Sequence, residues 1–172
     1  MRIKTFLPGE MILQRGGWSD YIALHKFHYL PNPPAAIAQV WRIVHRTDAD
    51  RVVAVGVLCW PSLGNKTRHR VLRLRGKSFG ERLRFNNRYL RTISRVIVHP
   101  QYRALGLASK LVRCICRNCP TRYVEAMAQM GRAHPFFESA GMRRVDPLDP
   151  TEPVYFIFKR KQRNRRCKRS KS

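Results

Sequence analysis

Short apolar runs alternate along this chain with stretches dominated by arginine, and the spacing of the apolar positions assigns most elements. "IAQVWRIVHR" (Ile37 to Arg46) and "RVVAVGVLCW" (Arg51 to Trp60) are β-branched and aromatic, and the turn-forming "TDAD" (Thr47 to Asp50) separates them. That pattern predicts a hairpin. "YLRTISRVIVHP" (Tyr89 to Pro100) predicts a strand whose end is apolar on both faces, as in a central strand. From Leu105 to Asn118 the period changes: Leu107, Leu111, Val112 and Ile115 fall on one helical face, and Lys110, Arg113 and Arg117 on the opposite one. Pro120 stops that helix. "RYVEAMAQM" (Arg122 to Met130) predicts another strand. "AHPFFESAG" (Ala133 to Gly141) predicts a short helix with Pro135 in its first turn and Gly141 as its C-cap, and "PVYFIFKRK" (Pro153 to Lys161) a last strand. Upstream, residues 1–15 look extended. "WSDYIALHKFHY" (Trp18 to Tyr29) suits a short helix capped by Ser19 or Asp20, and "LPNPPAA" (Leu30 to Ala36) must be loop. The order is strand, helix, hairpin, basic segment, strand, helix, strand, helix, strand. It implies an α/β fold with a mixed sheet.

Charge changes the functional picture. The 172 residues carry a formal net charge of +25. Residues 62–91 contribute +9 of it, with Glu81 their single acid, and residues 151–172 contribute +8. So few acids offset these bases that a solvated charged face is a weak explanation and a polyanion, DNA or RNA, a better one. Within the basic segment "VLRLR" (Val71 to Arg75) suits an edge strand guarded by arginine. "GNKT" (Gly64 to Thr67) lacks the upstream glycine of a Walker A loop. The tail from residue 159 to Ser172 is polybasic and predicts disorder. The folded body is then one domain, residues 1–158, with 62–91 as a basic insert. No apolar run is long enough to span a membrane and no signal-peptide pattern opens the chain, so a cytoplasmic protein without membrane contact is expected. The five cysteines include Cys114, Cys116 and Cys119, but no second cluster completes a four-ligand zinc set, so no metal site is expected.

The junction between the central strand and the long helix carries the candidate chemistry. A strand that runs into a helix N-terminus presents unpaired backbone N–H groups to an anion. Small residues at Gly106 and Ala108 permit close approach, and Arg103 adds a charged donor. "VHPQYRALGLASKLV" (Val98 to Val112) resembles the acetyl-CoA-binding motif of GNAT-family N-acetyltransferases, Arg/Gln-x-x-Gly-x-Gly/Ala after the fourth strand, filled here by Arg103, Gly106 and Ala108. "AHPFFESAGM" (Ala133 to Met142) is similar to the family's segment that closes the thioester site. The resemblance spans about Gln39 to Phe158 and rests on both motifs in order.

It implies a mostly antiparallel sheet, splayed at the acyl-CoA site and flanked by helices. The pyrophosphate would lie on the backbone of Ala104, Leu105, Gly106, Leu107, Ala108 and Ser109, and the thioester on N–H groups near Val96 and Val98. The reaction implied is N-acyl transfer from acetyl-CoA or another acyl-CoA. The family's frequent tyrosine acid falls on Phe137, which has no proton to give, and the preceding asparagine falls on Met130. Glu125 is the acid on its strand and the first candidate base, a salt bridge to an arginine being its other reading. Tyr29, His28 and His134 follow.

A narrower resemblance, carried by "FHY" (Phe27 to Tyr29), "VGVLCWPS" (Val55 to Ser62) and "NNRYLRTISRVIVHP" (Asn86 to Pro100), is to GNAT-like domains attached to ABC-type ATPases and to the phage Mom proteins that modify adenine in DNA. In the Mom group a His-Tyr pair has been linked to iron, and His28 and Tyr29 would carry that over. Three readings result: an acyltransferase acting on nucleic acid or a nucleic-acid-bound target, a Mom-like DNA-modifying enzyme, and a non-catalytic nucleic-acid binder on the same scaffold. A small cationic acceptor such as a polyamine would be repelled.

Overall fold

The computed structural model describes residues 11–46, 48 and 51–160. Among these residues seven strands form one sheet: β1 (Met11–Gly16), β2 (Ile37–His45), β3 (Arg51–Cys59), β4 (Leu90–Val98), β5 (Tyr123–Ala128), β6 (Arg143–Val145) and β7 (Val154–Lys159). Their order is β1-β2-β3-β4-β5-β7-β6, and every neighbouring pair is antiparallel except β4 with β5. The expected mixed, mostly antiparallel architecture is observed, and the central strand is β4.

Helices cover both faces. On one, α4 (Leu107–Asn118) buries Leu107, Leu111, Val112 and Ile115 against the sheet as the helical period requires. It comes so near β3 that a Cβ on Gly56 would lie 2.6 Å from Ile115 Cδ1, so a larger residue there would have to displace the Ile115 side chain. On the other face, α1 (Trp18–Leu24) buries Tyr21 and Leu24 against Val40, Val55, Val57 and Ile97. Asp20 fastens this helix twice. Its Oδ2 accepts the Gly17 N–H at 2.7 Å and its Oδ1 accepts Arg42 Nη1 at 2.7 Å. The cap therefore sits at Gly17, not at Ser19 or Asp20. The helix is also shorter than its pattern suggests, giving way to a 3-10 turn over His25–Phe27 before His28 and Tyr29.

The basic segment folds into two helices, α2 (Lys66–Val71) and α3 (Phe79–Tyr89). The edge strand expected over Val71 to Arg75 does not form. Leu72 caps α2, Arg73 has a φ of 54°, and the Leu74 N–H returns to the His69 carbonyl at 2.8 Å. The alternation of leucine and arginine there marks a turn with Leu74 tucked inward. Each new helix is capped by a side chain: Asn65 Oδ1 accepts the Arg68 N–H at 2.6 Å, and Ser78 and Glu81 form a reciprocal capping box. α5 (Phe136–Ser139) is the expected short helix, with Gly141 left-handed after it. Sequence places Lys159 and Arg160 both at the end of the last strand and at the start of the tail, and the structure shows the strand reading for Lys159. Lys159 is the last residue of β7, and the Arg160 N–H donates to the Arg122 carbonyl at 2.9 Å. The disorder expected beyond them lies outside the described residues.

Candidate functional site

β4 and β5 pair only over part of their length. The parallel register runs from Leu90 with Tyr123 to Ile93 with Ala126 and then stops, while β4 continues to Val98. The parting coincides with a bulge. Ile93 opposes Leu58 and Arg95 opposes Val57, so Ser94 is the extra residue. Beyond it, β4 keeps β3 as a neighbour on one edge and has no strand on the other among the described residues. The His99 N–H donates to the Val53 carbonyl at 2.8 Å, which fixes the alternation of the antiparallel ladder. The N–H groups of Arg95 and Ile97 therefore point toward β3, while those of Val96 and Val98 face the gap.

The gap leads to the start of α4. Gly106 is the N-cap at a φ of 70°, and Ala104 also lies in the left-handed region at 64°. The first helical bond is accepted by the Gly106 carbonyl from Lys110, leaving the N–H groups of Leu107, Ala108 and Ser109 without partners inside the helix. Positive partial charge collects there. Two cavities of about 430 and 460 Å³ meet along Val98, Arg103, Ala104, Ala108, His134 and Phe136, making one cleft from the splayed strands to the helix N-terminus.

Most of the residues expected from sequence converge on this cleft. Val96, Val98, Arg103, Ala104 and Ala108 line its strand half, and Gly106, Leu107 and Ser109 its helix half. Leu105 is exposed and lines neither. His28, Tyr29 and His134 stand on its walls. The rings of His28 and Tyr29 stack at 4.6 Å. His28 Nδ1 lies 3.1 Å from the Leu30 N–H and accepts it, so neutral His28 carries its proton on Nε2. Burial, and then the nearby Arg95 guanidinium, pull the His28 pKa below its ordinary value.

Glu125 is placed elsewhere. It is fully buried beneath the paired part of β4 and β5 and lines no part of the cleft. Oε1 accepts from Arg68 Nη2 at 2.6 Å and Thr92 Oγ1 at 2.7 Å, and Oε2 accepts from Arg68 Nε at 2.9 Å and the Tyr155 hydroxyl at 2.8 Å. Both oxygens are engaged and neither faces an acceptor, so the candidate base is corrected to a structural ion pair. Phe137 is buried at the cleft wall and stacks on Phe156 at 4.8 Å.

Sequence reasoning missed Arg95. It lines the cleft beside the bulge, held by Nη1 on the Ser94 carbonyl at 2.9 Å and by Nη2 on the Asn32 carbonyl at 2.8 Å. A lone arginine inside the apolar "TISRVIV" was the available signal. Among the described residues no carboxylate lines either cavity.

The overall fold matches solved structures. A GNAT-family acetyltransferase from Bacillus cereus ATCC 10987 superposes with a TM-score of 0.56 at 14% identity, covering 90% of this chain and 100% of that one. The chain has the GNAT fold. A GNAT-family acetyltransferase from Elizabethkingia anophelis with acetyl-CoA bound gives a TM-score of 0.55 at 7% identity, with 88% and 99% covered. The NatC complex bound to Gag peptide and CoA gives 0.55 at 12%, with 89% and 100% covered. No protein-family profile and no curated protein matches the sequence. The iron linked to the Mom proteins finds no fit: among the described residues no three His, Cys, Asp or Glu side chains stand together to share a metal ion. Cys114 and Cys116 are buried, and burial pushes their thiols up to about 11 and about 12.

Proposed function

We propose that this protein is an acyl-CoA-dependent N-acyltransferase of the GNAT type, acting on an amine carried by a nucleic acid or by a target bound to one. The observation that carries the reading is the unpaired edge of β4, whose Val96 and Val98 N–H groups face a gap continuous with the N-terminus of α4. A strand edge accepts a pantetheine amide as it would accept another strand, and a helix N-terminus accepts a pyrophosphate. Acetyl-CoA would place its phosphates against residues 104–109 and its thioester near the bulge.

In transfer, the acceptor nitrogen attacks the thioester carbon and the C–S bond breaks. The nitrogen loses a proton and the departing thiolate gains one. Backbone N–H groups aimed at the carbonyl oxygen stabilise the charge that develops there. His134, which borders both halves of the cleft, and the His28–Tyr29 pair are the proton-handling groups within it. Their task is light if the acceptor amine is uncharged at neutral pH. With Arg95 and Arg103 on the wall and no carboxylate among the described residues lining the cleft, an ammonium acceptor has no opposite charge there to attract it.

The test is mass spectrometry of nucleosides and nucleic-acid-linked amines from cells expressing the protein. The wild type should add an acyl-bearing species that the Gly106→Glu variant does not. Identical profiles from both would remove the nucleic-acid acceptor from the proposal. A modified adenine other than an acyl-amide would favour the Mom-like chemistry instead.

A further inference from the structure

The basic segment makes a second concave surface, away from the cleft. A cavity of about 300 Å³ lies along α3, with Lys77, Arg84 and Arg88 on its rim and Phe85 and Tyr89 in its lining. Arg84 and Arg88 are exposed, and Phe85 and Tyr89 are half-buried. The acid in its lining, Glu81, is already committed. It accepts from the Ser78 N–H and hydroxyl at 2.9 Å each, and pairs with Lys77 at 3.1 Å. These contacts hold its pKa down at about 2, so it stays an anion occupied by the helix cap.

The aromatic rings continue beyond the cavity. Phe85 lies 5.3 Å from Tyr89 on one side and 6.1 Å from Tyr123 on the other, stacked on the latter at 30°. The Arg88 guanidinium lies 5.3 Å from the Tyr89 ring centroid and that of exposed Arg122 5.5 Å from the Tyr123 centroid, beyond stacking contact with either face. A row of partly exposed rings with arginines at each end offers stacking to unpaired bases and charge to phosphates in one line. A duplex hides its base faces and would use only the charge. β4 leads from Tyr89 to the bulge at Ser94, about 17 Å at strand spacing.

The geometry points to the α3 groove, with Tyr123 and Arg122 beside it, as a binding site for single-stranded nucleic acid. The inference rests on the nucleic-acid half of the proposed function and names the form of the polymer and where it is held. Bases stack along Tyr89, Phe85 and Tyr123 while Arg84, Arg88 and Arg122 take the phosphates, and the strand running past the groove brings a neighbouring nucleotide toward the cleft.

Fluorescence anisotropy on the full chain tests this, with a labelled single-stranded 20-mer and its duplex at two salt concentrations. The single strand should bind at least ~10-fold more tightly than the duplex. Arg84→Glu with Arg88→Glu should weaken it ~10-fold or more and flatten its salt dependence. Tyr123→Leu should weaken the single strand ~5-fold or more while changing the duplex little. Acetyl-CoA titration of each variant reports folding, and Arg122→Glu replaces the charge pair if that variant does not fold. Equal or tighter duplex binding, or unchanged binding in these variants, overturns the groove while leaving nucleic-acid binding in place. No oligonucleotide binding, with or without sedimentation on phosphatidylserine vesicles, overturns both and leaves the acyl-CoA reading standing.

Discussion

Arg68 and Glu125 form a bidentate ion pair with both side chains fully buried, Nη2 to Oε1 at 2.6 Å and Nε to Oε2 at 2.9 Å. One comes from α2 and the other from β5, so the pair pins the basic segment beneath the point where β4 and β5 part. Removing one partner leaves a buried charge without compensation. Arg68→Met should therefore cost about 3–5 kcal/mol in urea unfolding, and Arg68→Met with Glu125→Met should recover much of the loss. Glu125→Gln, where it folds, should leave the pH profile of transfer unchanged. A lost basic limb would return Glu125 to the role of base.

Gly106 is the second lever. At a φ of 70° a side chain is strained by about 1–2 kcal/mol, although a Cβ would meet no protein atom within 4 Å. Gly106 itself lines the cavity at the start of α4. Gly106→Val should reduce acetyl-CoA affinity by ~10-fold or more with only that modest loss of stability. Ala104→Gly, at a φ of 64°, should be tolerated. Calorimetry on both variants checks the contrast.

Acid should destabilise the fold before its carboxylates titrate. His28, His69 and His99 all have pKa values pulled down, first by burial and then by arginines: Arg95 for His28, Arg82 and Arg68 for His69, and Arg51 for His99. Below the ordinary histidine value of about 6.5 the unfolded chain takes up protons that the folded chain resists. Stability contributed by these groups is fully present above that value and is lost as pH falls toward their folded values. Urea midpoints at pH values on either side of ~6.5 should fall on the acid side and stay level above it.

The buried thiols should be inert in the native state. With Cys114 raised to about 11 and Cys116 to about 12, almost no thiolate exists near neutral pH. Iodoacetamide followed by peptide mapping should find Cys59, Cys114, Cys116 and Cys119 unlabelled until denaturant is added.

How much of this was legible depended on the range of the interaction. The hairpin and α4 were read correctly because their apolar spacing is local and regular. β6 was missed because Arg143–Val145 is too short to show a period. The helices of the basic segment did leave local signals, the Asn65 cap and the Ser78–Glu81 capping box, but the alternation across Val71 to Arg75 has the period of a strand. Glu125 could not be placed from sequence: its partner Arg68 is 57 positions away, and an acid in an apolar strand fits a base or an ion pair equally well. The left-handed turn into α4 was legible because Gly106 and the following helix are contiguous. The bulge at Ser94 and the position of Arg95 were not, because they arise from register with β3.

The central claim is that the cleft between β4 and α4 holds an acyl-CoA. Titration of the purified full chain with acetyl-CoA by isothermal calorimetry tests it directly. The expected result is one site of roughly micromolar affinity that weakens ~10-fold or more in Gly106→Glu. A titration that stays flat to ~1 mM acetyl-CoA, or one that Gly106→Glu leaves unchanged, would contradict the account.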